Sequence, residues 1–205
     1  KRLQVLKAYR ERRDFFERQG IFLMANINNS KSDTVISGDY RSANSIYNYG
    51  NNVTIYGSSS NYYNNSYDYV ENHGLNAVVQ TWKGYDEIQN YGAGSSIHGG
   101  SWNDIIYNYE DATNSTLLGG TENDEIRNYA ANSFIFGGDG NDVIRNYGAN
   151  TMIDVDNDSV SGSNRVYAFA SNVTVNVNGG NDTVSAYAGD GTVILGGIRN
   201  DKITL

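Results

Sequence analysis

A short pattern recurs along the sequence about every 20 residues, and this repeat limits the fold more than any other feature. Each copy has Ile or Val, then a variable residue, a small polar residue and an aromatic residue. The clear copies begin at Ile46, Ile88, Ile106, Ile126 and Ile144. Weaker copies begin at Ser66, Val166 and Val184, and Ile203 begins a further one. A fixed period of this length is typical of repeat proteins whose units stack along one axis.

A second apolar cluster lies between successive copies of this pattern. Its members include Val35-Ile36, Val53–Ile55, Val78-Val79, Ile97, Leu117-Leu118, Phe134-Ile135, Met152-Ile153, Val173–Val175 and Val193-Ile194. Gly, Asn and Asp residues separate the two clusters, so each repeat contains two short β-prone segments joined by turns. We therefore predict an all-β fold over residues 21–205, a parallel β-solenoid or β-roll of about nine two-strand coils.

Proline and cysteine are both absent from the 205 residues. Without proline, every residue keeps the backbone N–H that a continuous β-ladder needs. Without cysteine, neither disulfides nor thiolate metal sites can hold the fold. The stability must then come from stacking one coil on the next, because segments this short cannot bury a core alone.

Stacking places equivalent side chains above one another in ladders along the axis. The aromatic residues expected to stack are Tyr49, Tyr69, Tyr91, Tyr109, Tyr129, Tyr147, Phe169 and Tyr187. The asparagines that follow them are expected to share amide hydrogen bonds. An exposed face of rings that binds carbohydrate is the alternative interpretation of so many tyrosines.

The first 20 residues differ from the rest in charge and in pattern. They carry seven Lys or Arg and three acidic residues, whereas the remaining 185 carry eight basic and 20 acidic residues. Leu3 and Leu6 share one helical face, and Gly20 is a stop signal, so we predict a basic α-helix over residues 1–20 that caps the solenoid or contacts another molecule. The acidic body would repel nucleic acid.

Residues 137–144, GGDGNDVI, resemble the RTX nonapeptide (the hemolysin-type calcium-binding repeat), GGxGxDxUx, in which U is a large apolar residue. Partial copies end at Asp104, Asp124 and Asp201, and weaker ones at Asp86 and Asp182. In that family each turn of a β-roll binds calcium through turn carbonyls and aspartates. The resemblance implies the metal ligands Asp86, Asp104, Asp124, Asp142, Asp182 and Asp201. Mutual repulsion within a column of carboxylates is a further reason to expect a cation there.

The sequence departs from the RTX pattern at several positions. The fourth residue, glycine in the family, is Trp102, Glu122 or Arg199 in three copies, and Asn164 stands in the place equivalent to Asp142. The other half of each coil has Ser, Thr or Val where the family has Asp, so at most one edge could bind calcium. A turn ladder of Asp and Asn without metal is the alternative. Asp154, Asp156 and Asp158 have D-x-D-x-D spacing without the remaining EF-hand residues and are interpreted as an irregular coil.

No group of residues indicates catalysis, since His73 and His98 lie in unrelated parts of the repeat and no nucleophile–base spacing stands out. No apolar run approaches the roughly 20 residues of a membrane span. We therefore expect a non-enzymatic, extracellular or bacterial cell-surface solenoid with a structural or adhesive role, stabilised by calcium and self-associating head to tail into filaments. A β-helix that acts on or binds polysaccharide and an ice-binding adhesin are the alternatives.

Overall fold

A computed structural model describes residues 25–38, 43–59, 67–156, 162–187, 190–197 and 199–205. Within these ranges the chain is all-β, a parallel β-solenoid of about eight turns against the nine coils predicted. The described ranges contain no helix that could cross a bilayer, as expected from the hydropathy pattern. The helix predicted over residues 1–20 and the division at residue 21 lie outside the described residues.

The strands form two sheets that alternate along the chain. The first sheet has ten strands: β1 (Ala25–Asn29), β3 (Asn44–Asn48), β5 (Asp68–Asn72), β7 (Glu87–Asn90), β9 (Ile105–Asn108), β11 (Glu125–Asn128), β13 (Val143–Asn146), β15 (Arg165–Ala168), β17 (Thr183–Ala186) and β19 (Lys202–Thr204). The second sheet has nine: β2 (Val35–Ser37), β4 (Thr54–Tyr56), β6 (Val78–Lys83), β8 (Ser96–Ser101), β10 (Thr116–Thr121), β12 (Phe134–Asp139), β14 (Met152–Asp156), β16 (Thr174–Asn176) and β18 (Val193–Leu195). Each strand pairs in parallel with the equivalent strand of the next coil.

The core is a double row of aliphatic side chains between the two sheets. In the first sheet the inward residues include Ile88, Ile106, Ile126 and Ile144, all fully buried. Strand pairing places these residues in register, as in the pair Ile126 and Ile144. Because side chains alternate across a strand, the residues two before and two after each of these also point inward. Those flanking positions hold the polar side chains described below.

A ladder of asparagines, all buried except Asn29, closes one side of the core. Asn29, Asn48, Asn72, Asn90, Asn108, Asn128 and Asn146 each lie two residues after the inward apolar residue of their strand. The side-chain amide of each of the first six donates to the Oδ1 of the next, over 2.7–2.8 Å. These asparagines precede the aromatic residues, whereas the ladder predicted from the sequence used the ones that follow. The following asparagines also pair, as Asn76 with Asn52 and Asn172 with Asn150, but they are exposed.

The aromatic residues stack along the outer edge beside this ladder, and one member was predicted incorrectly. Neighbouring rings lie 4.2–6.2 Å apart between centroids and within 14° of parallel. The stack contains seven of the eight predicted rings, but His73 takes the place assigned to Tyr69. The strand register pairs Val70 with Ile46 and Ile88, so the repeat in this coil begins at Val70 and not at Ser66. Tyr69 points outward from the face of the sheet instead.

The turns use left-handed backbone conformations at repeated positions. One turn of most coils has a positive φ at asparagine, including Asn52, Asn114, Asn132 and Asn150, with φ of 54–59°. Asparagine tolerates this region better than other residues with a side chain. The opposite turn has positive φ at Trp102 and Glu122, with φ of 84° and 72°, and at Gly140. The glycine-like backbone conformation therefore persists where the sequence departs from glycine.

Candidate functional site

The strongest candidate for a functional site is a column of acidic side chains inside the solenoid, which we call the aspartate column. It runs along the first sheet, on the opposite side of the aliphatic row from the asparagine ladder. Its members, in spatial order, are Asn44, Asp68, Asp86, Asp104, Asp124, Asp142, Asn164, Asp182 and Asp201. All except Asp201 are buried, with at most 2% of their surface exposed.

One carboxylate oxygen of each aspartate accepts a hydrogen bond from a backbone N–H of the preceding coil. The backbone N–H of Asp86 donates to Asp104 Oδ1 at 2.8 Å, that of Asp104 to Asp124 Oδ1 at 2.8 Å, and that of Asp124 to Asp142 Oδ1 at 2.8 Å. The same bond joins every pair of neighbours in the column, over 2.7–3.0 Å. The side chains thus replace backbone carbonyls as acceptors at the start of each strand.

The other carboxylate oxygen has no hydrogen-bond donor in most coils. The Oδ2 atoms of Asp86, Asp104, Asp124, Asp142 and Asp182 are buried and without a partner. Asp68 differs, because the backbone N–H of Ser58 donates to its Oδ2 at 2.5 Å. A buried acceptor without a donor costs about 1–3 kcal/mol, and more if it is charged, so five such atoms in one column require an explanation.

Glycines of the second sheet make room for these oxygens. A Cβ atom added at Gly99, Gly119 or Gly137 would lie within 2.6 Å of the Oδ2 of Asp104, Asp124 or Asp142, respectively. The glycine of the GG pair therefore allows the carboxyl group to pack against a backbone Cα. Packing, and not backbone conformation, requires glycine at the first position of the pair, since the φ of this residue is not positive.

Burial shifts the protonation equilibria of the column toward the neutral acid. Loss of hydration raises the pKa of Asp104 to about 9, and the neighbouring charge of Asp86 adds to the shift. Burial likewise raises the pKa of Asp86 and of Asp124 to about 8, and that of Asp68 and Asp142 to about 6. The ordinary pKa of aspartate is 3.8. The central carboxyls are thus the strongest proton acceptors in the column.

The six aspartates that the RTX resemblance implies as calcium ligands all belong to this column. Calcium takes six to eight oxygen ligands. Here Oδ1 of each aspartate accepts a backbone N–H, and the unpartnered Oδ2 atoms point into a core packed against glycine. No cluster of three or more His, Asp or Glu side chains able to hold a metal occurs in the described part of the chain. Calcium binding therefore stays a prediction.

The D-x-D-x-D segment lies beside the column where the coil is irregular. Asp154 is half-buried, whereas Val155 and Asp156 are both buried, so the strict alternation of a regular strand fails at this point. The amide of Asn164 donates to Asp156 Oδ1 at 2.8 Å. Asp158 lies outside the described residues.

Sequence reasoning missed Asp68 and the inward orientation of the column. Asp68 was hidden because the repeat in its coil had been aligned on Ser66. The pattern D-x-V-x-N at Asp68, Val70 and Asn72 would have identified it. Each column residue lies two residues before an aliphatic residue of the core, so both side chains point to the same inward face. The resemblance to calcium turns hid this signal.

The fold and the column define the class of protein as a parallel β-solenoid with buried polar ladders. Comparisons with protein-family models, with curated proteins and with solved structures found no match. The resemblance to RTX repeats therefore stays a prediction from the sequence.

Proposed function

We propose that the chain is a rigid, non-enzymatic structural module of an extracellular or bacterial cell-surface protein. The observation that supports this most is the use of the inward positions of each coil for continuous ladders. Aliphatic, asparagine and aspartate side chains each form their own row along the axis. Within a row, each side chain contacts the equivalent residue of the neighbouring coil. Such an arrangement resists bending, since moving one coil against the next breaks several bonds at once.

The aromatic stack supports this structural role over the carbohydrate-binding alternative. Sugars bind to the faces of aromatic rings, and here the faces lie against one another. Tyr91 and Tyr109, for example, stack at 4.2 Å with 2° between their planes. Only the ring edges are presented outward along most of the stack.

Three measurements test the proposal: small-angle scattering, antibody labelling of cells and an assay for polysaccharide hydrolysis. Small-angle scattering should show a rigid rod, and antibody labelling should detect the chain on intact cells before permeabilisation. Labelling only after permeabilisation would contradict the cell-surface assignment, and hydrolysis of a polysaccharide panel by the purified chain would contradict the non-enzymatic one. A flexible scattering profile would contradict the structural role.

The outer face of the second sheet favours adhesion as a second function. Phe134, Phe136 and Met152 are 50%, 38% and 42% exposed in adjacent coils, and Leu118 lies beside them. Exposed apolar groups gathered in this way mark contact surfaces more often than single ones do. Replacing Phe134, Phe136 and Met152 with serine should reduce retention of cells on a coated surface. The matched control replaces Tyr147 and Tyr187 of the aromatic edge, and equal loss in both variants would contradict the assignment.

Head-to-tail self-association is proposed on the exposure of the last described strands. Val193, Leu195 and Ile203, in β18 and β19, are 44–52% exposed. An outer strand of this kind can pair with a further coil of the same protein or with a second copy, and in the second case a heterologous contact between two ends extends into a filament. Electron microscopy at high protein concentration should show filaments, and dispersed particles alone would rule them out.

A further inference from the structure

A groove runs along the solenoid axis where the turns enter the first sheet. One row of its lining consists of the exposed residues directly before the aspartate column members, Tyr67, Tyr85, Asn103, Asn123 and Asn141. A second row consists of outward residues directly after them, Glu87, Ile105, Glu125 and Val143. The aspartates between the two rows also border the groove, but at most 2% of their surface is exposed. The volume of about 430 Å³ lies within the roughly 300–1,000 Å³ of ligand pockets.

The groove is straight and crosses the strands instead of following them. Ile105 pairs in register with Glu87 and with Glu125, and Glu125 pairs with Val143. Five coils at about 4.8 Å each give a length of about 19 Å. A peptide that adds to a sheet needs free backbone groups along a strand edge. Here the backbone N–H of Asp104 already donates to Asp124 Oδ1, so side chains must recognise the ligand.

Aromatic rings gather at one end of the groove. Tyr67 and Tyr85 are 40% and 42% exposed. The ring of Trp102 meets that of Tyr85 edge to face, with 5.3 Å between centroids and 71° between planes. Trp82, in the preceding turn, is 44% exposed. Both tryptophans of the chain therefore lie at this one edge of the solenoid.

The fold itself does not require tryptophan at these two positions. Trp82 and Trp102 have φ of 72° and 84°, a region in which a bulky side chain is strained. Strand pairing places Gly100 opposite Trp82, and Gly140 takes the place of Trp102 two coils further on. Glycine adopts this backbone conformation without strain. Strain of this kind is typical of functional sites, so the exposed rings point to a ligand.

Polar groups with unused bonding capacity follow the rings along the groove. Asn103 Oδ1 accepts the backbone N–H of Asn123 at 3.0 Å, which orients the amide. The Nδ2 atoms of Asn103 and Asn123 donate to no residue in the described part of the chain. Glu125 Oε1 accepts from Arg127 and Arg145, whereas its Oε2 has no partner among the described residues. The lining thus offers oriented amide donors and a carboxylate acceptor.

This combination of groups fits a neutral sugar chain. The C–H groups of a sugar ring pack on the electron-rich faces of aromatic rings, and each hydroxyl is both donor and acceptor. An apolar ligand would cover the amides and carboxylates without replacing their bonds to water. An anionic chain would meet Glu87 and Glu125 on a protein with a net charge of −8.

We propose that the groove is a binding site for an extended, neutral polysaccharide. Tyr85 and Trp102 stack on one sugar ring, and Asn103, Asn123 and Glu125 bond to hydroxyls of the rings that follow. The site lies at the opposite end of the strands from the aromatic stack and is separate from the apolar face around Phe134. Its failure would leave the proposal of a rigid structural module unaffected.

Tryptophan fluorescence tests the binding directly. In Trp82→Phe the sole tryptophan is Trp102, and its emission should shift saturably with at least one β-1,4-linked hexasaccharide of glucose, xylose, mannose or N-acetylglucosamine. The matching disaccharide should bind at least about tenfold more weakly, because it reaches either the rings or the amides but not both. No shift with any of the four hexasaccharides, or tighter binding of a hexasaccharide of uronic acids, would overturn the proposal.

The variant Trp102→Gly separates binding from folding. Glycine fits the φ of 84°, so the urea midpoint should be equal to that of wild type or higher. The affinity for the same hexasaccharide, measured by calorimetry, should fall by about tenfold or more. Tyr85→Ala, at an exposed ring, should weaken binding similarly. Tyr187→Ala, which removes a 63% exposed ring from the aromatic stack, is the control and should bind as wild type. Unchanged affinity in Trp102→Gly and Tyr85→Ala, or equal losses in Tyr187→Ala, would overturn the assignment.

Added calcium distinguishes direct recognition from a bridging metal. The affinity for the hexasaccharide should be the same in excess chelator and in millimolar calcium. Binding that appears only with calcium would contradict recognition by the side chains of the groove and would place a metal ion between the sugar and the protein.

Discussion

The two ends of the central strands of the first sheet, β5 to β13, use the same backbone geometry for different chemistry. At one end the asparagine ladder pairs amide with amide: Asn108 accepts from Asn90 at 2.7 Å and donates to Asn128 at 2.8 Å. At the other end Asp104 accepts from the backbone of Asp86, and its second oxygen has no donor. Asp104 and Asn108 are both buried and lie four residues apart in sequence.

This contrast shows that a stacked column is self-sufficient only if each side chain is both donor and acceptor. The amide meets that condition at any pH, because it carries two N–H donors and one acceptor oxygen. A carboxyl group meets it only when protonated. The asparagine ladder therefore satisfies its own hydrogen bonds at any pH, whereas an ionised aspartate column leaves buried Oδ2 atoms without a donor.

Placing an aspartate in the asparagine ladder should have the largest effect on stability. In Asn108→Asp the oxygen that replaces the amide nitrogen would face Asn128 Oδ1 and the carbonyl oxygen of Ala112, which the amide now contacts at 2.8 and 3.2 Å. Two acceptors would meet a buried carboxylate, and we expect a loss of about 3–5 kcal/mol in the free energy of unfolding at pH 7.

Urea unfolding followed by circular dichroism measures this loss. The reciprocal change, Asp104→Asn, should leave the urea midpoint at pH 7 unchanged or higher. If both exchanges destabilise the protein equally, the two columns do not differ in the way described.

Filling the space beside the carboxyl group should have a smaller effect. In Gly119→Ala the new Cβ would lie against Asp124 Oδ2 and the carbonyl oxygen of Gly137, closer than atoms normally approach. The carboxyl group would have to shift, at a cost of about 1–3 kcal/mol. Gly179→Ala is the matched control, because nothing lies within 4 Å of its added Cβ. Equal urea midpoints for the two variants would show that the carboxyl group has room to move.

The repeat period, the parallel sheets and the positions of the acidic residues could be predicted from the sequence. Ile88, Ile106, Ile126 and Ile144 recur at regular intervals, and such a period has few structural solutions. The orientation of Asp142 could also have been derived, because it precedes inward-pointing Ile144 by two residues. Its resemblance to a calcium turn assigns Asp142 to an edge of the solenoid and gives no orientation for its side chain.

The coil between Ile46 and Ile88 shows what local patterns could not provide. Tyrosines and asparagines fill residues 61–69, so several alignments match the repeat about equally well. Only the pairing of strands across coils selects Val70 as the inward residue. The surroundings of the aspartate carboxyl groups also depend on burial and on carbonyls from other coils, which local sequence patterns do not give.

Removing one ring from the aromatic stack should moderately lower the stability of the solenoid edge beside the asparagine ladder. Tyr109 stacks on Tyr91 at 4.2 Å and on Tyr129 at 6.2 Å, at an edge that remains half-exposed. Tyr109→Ala removes both contacts and should lower the free energy of unfolding by about 1–2 kcal/mol. Tyr187→Ala, in a ring for which the described residues supply one stacking neighbour, should cost about half as much. Equal losses would mean that the number of stacking neighbours does not set the effect.

Replacing the histidine of the aromatic stack with tyrosine should have the smallest effect. His73 lies between Tyr49 and Tyr91, 4.9 and 4.6 Å from their centroids, and its Nε2 lies 2.7 Å from Glu71 Oε1. His73→Tyr keeps a ring in the stack and removes the contact with Glu71, so we expect a change of less than about 0.5 kcal/mol. Tyr69→Ala should not disturb the stack, because Tyr69 lies on the outer face of the sheet. If Tyr69→Ala disrupts the near-ultraviolet circular dichroism of the stacked rings and His73→Ala does not, the register of this coil is wrong, and Asp68 loses its place in the aspartate column.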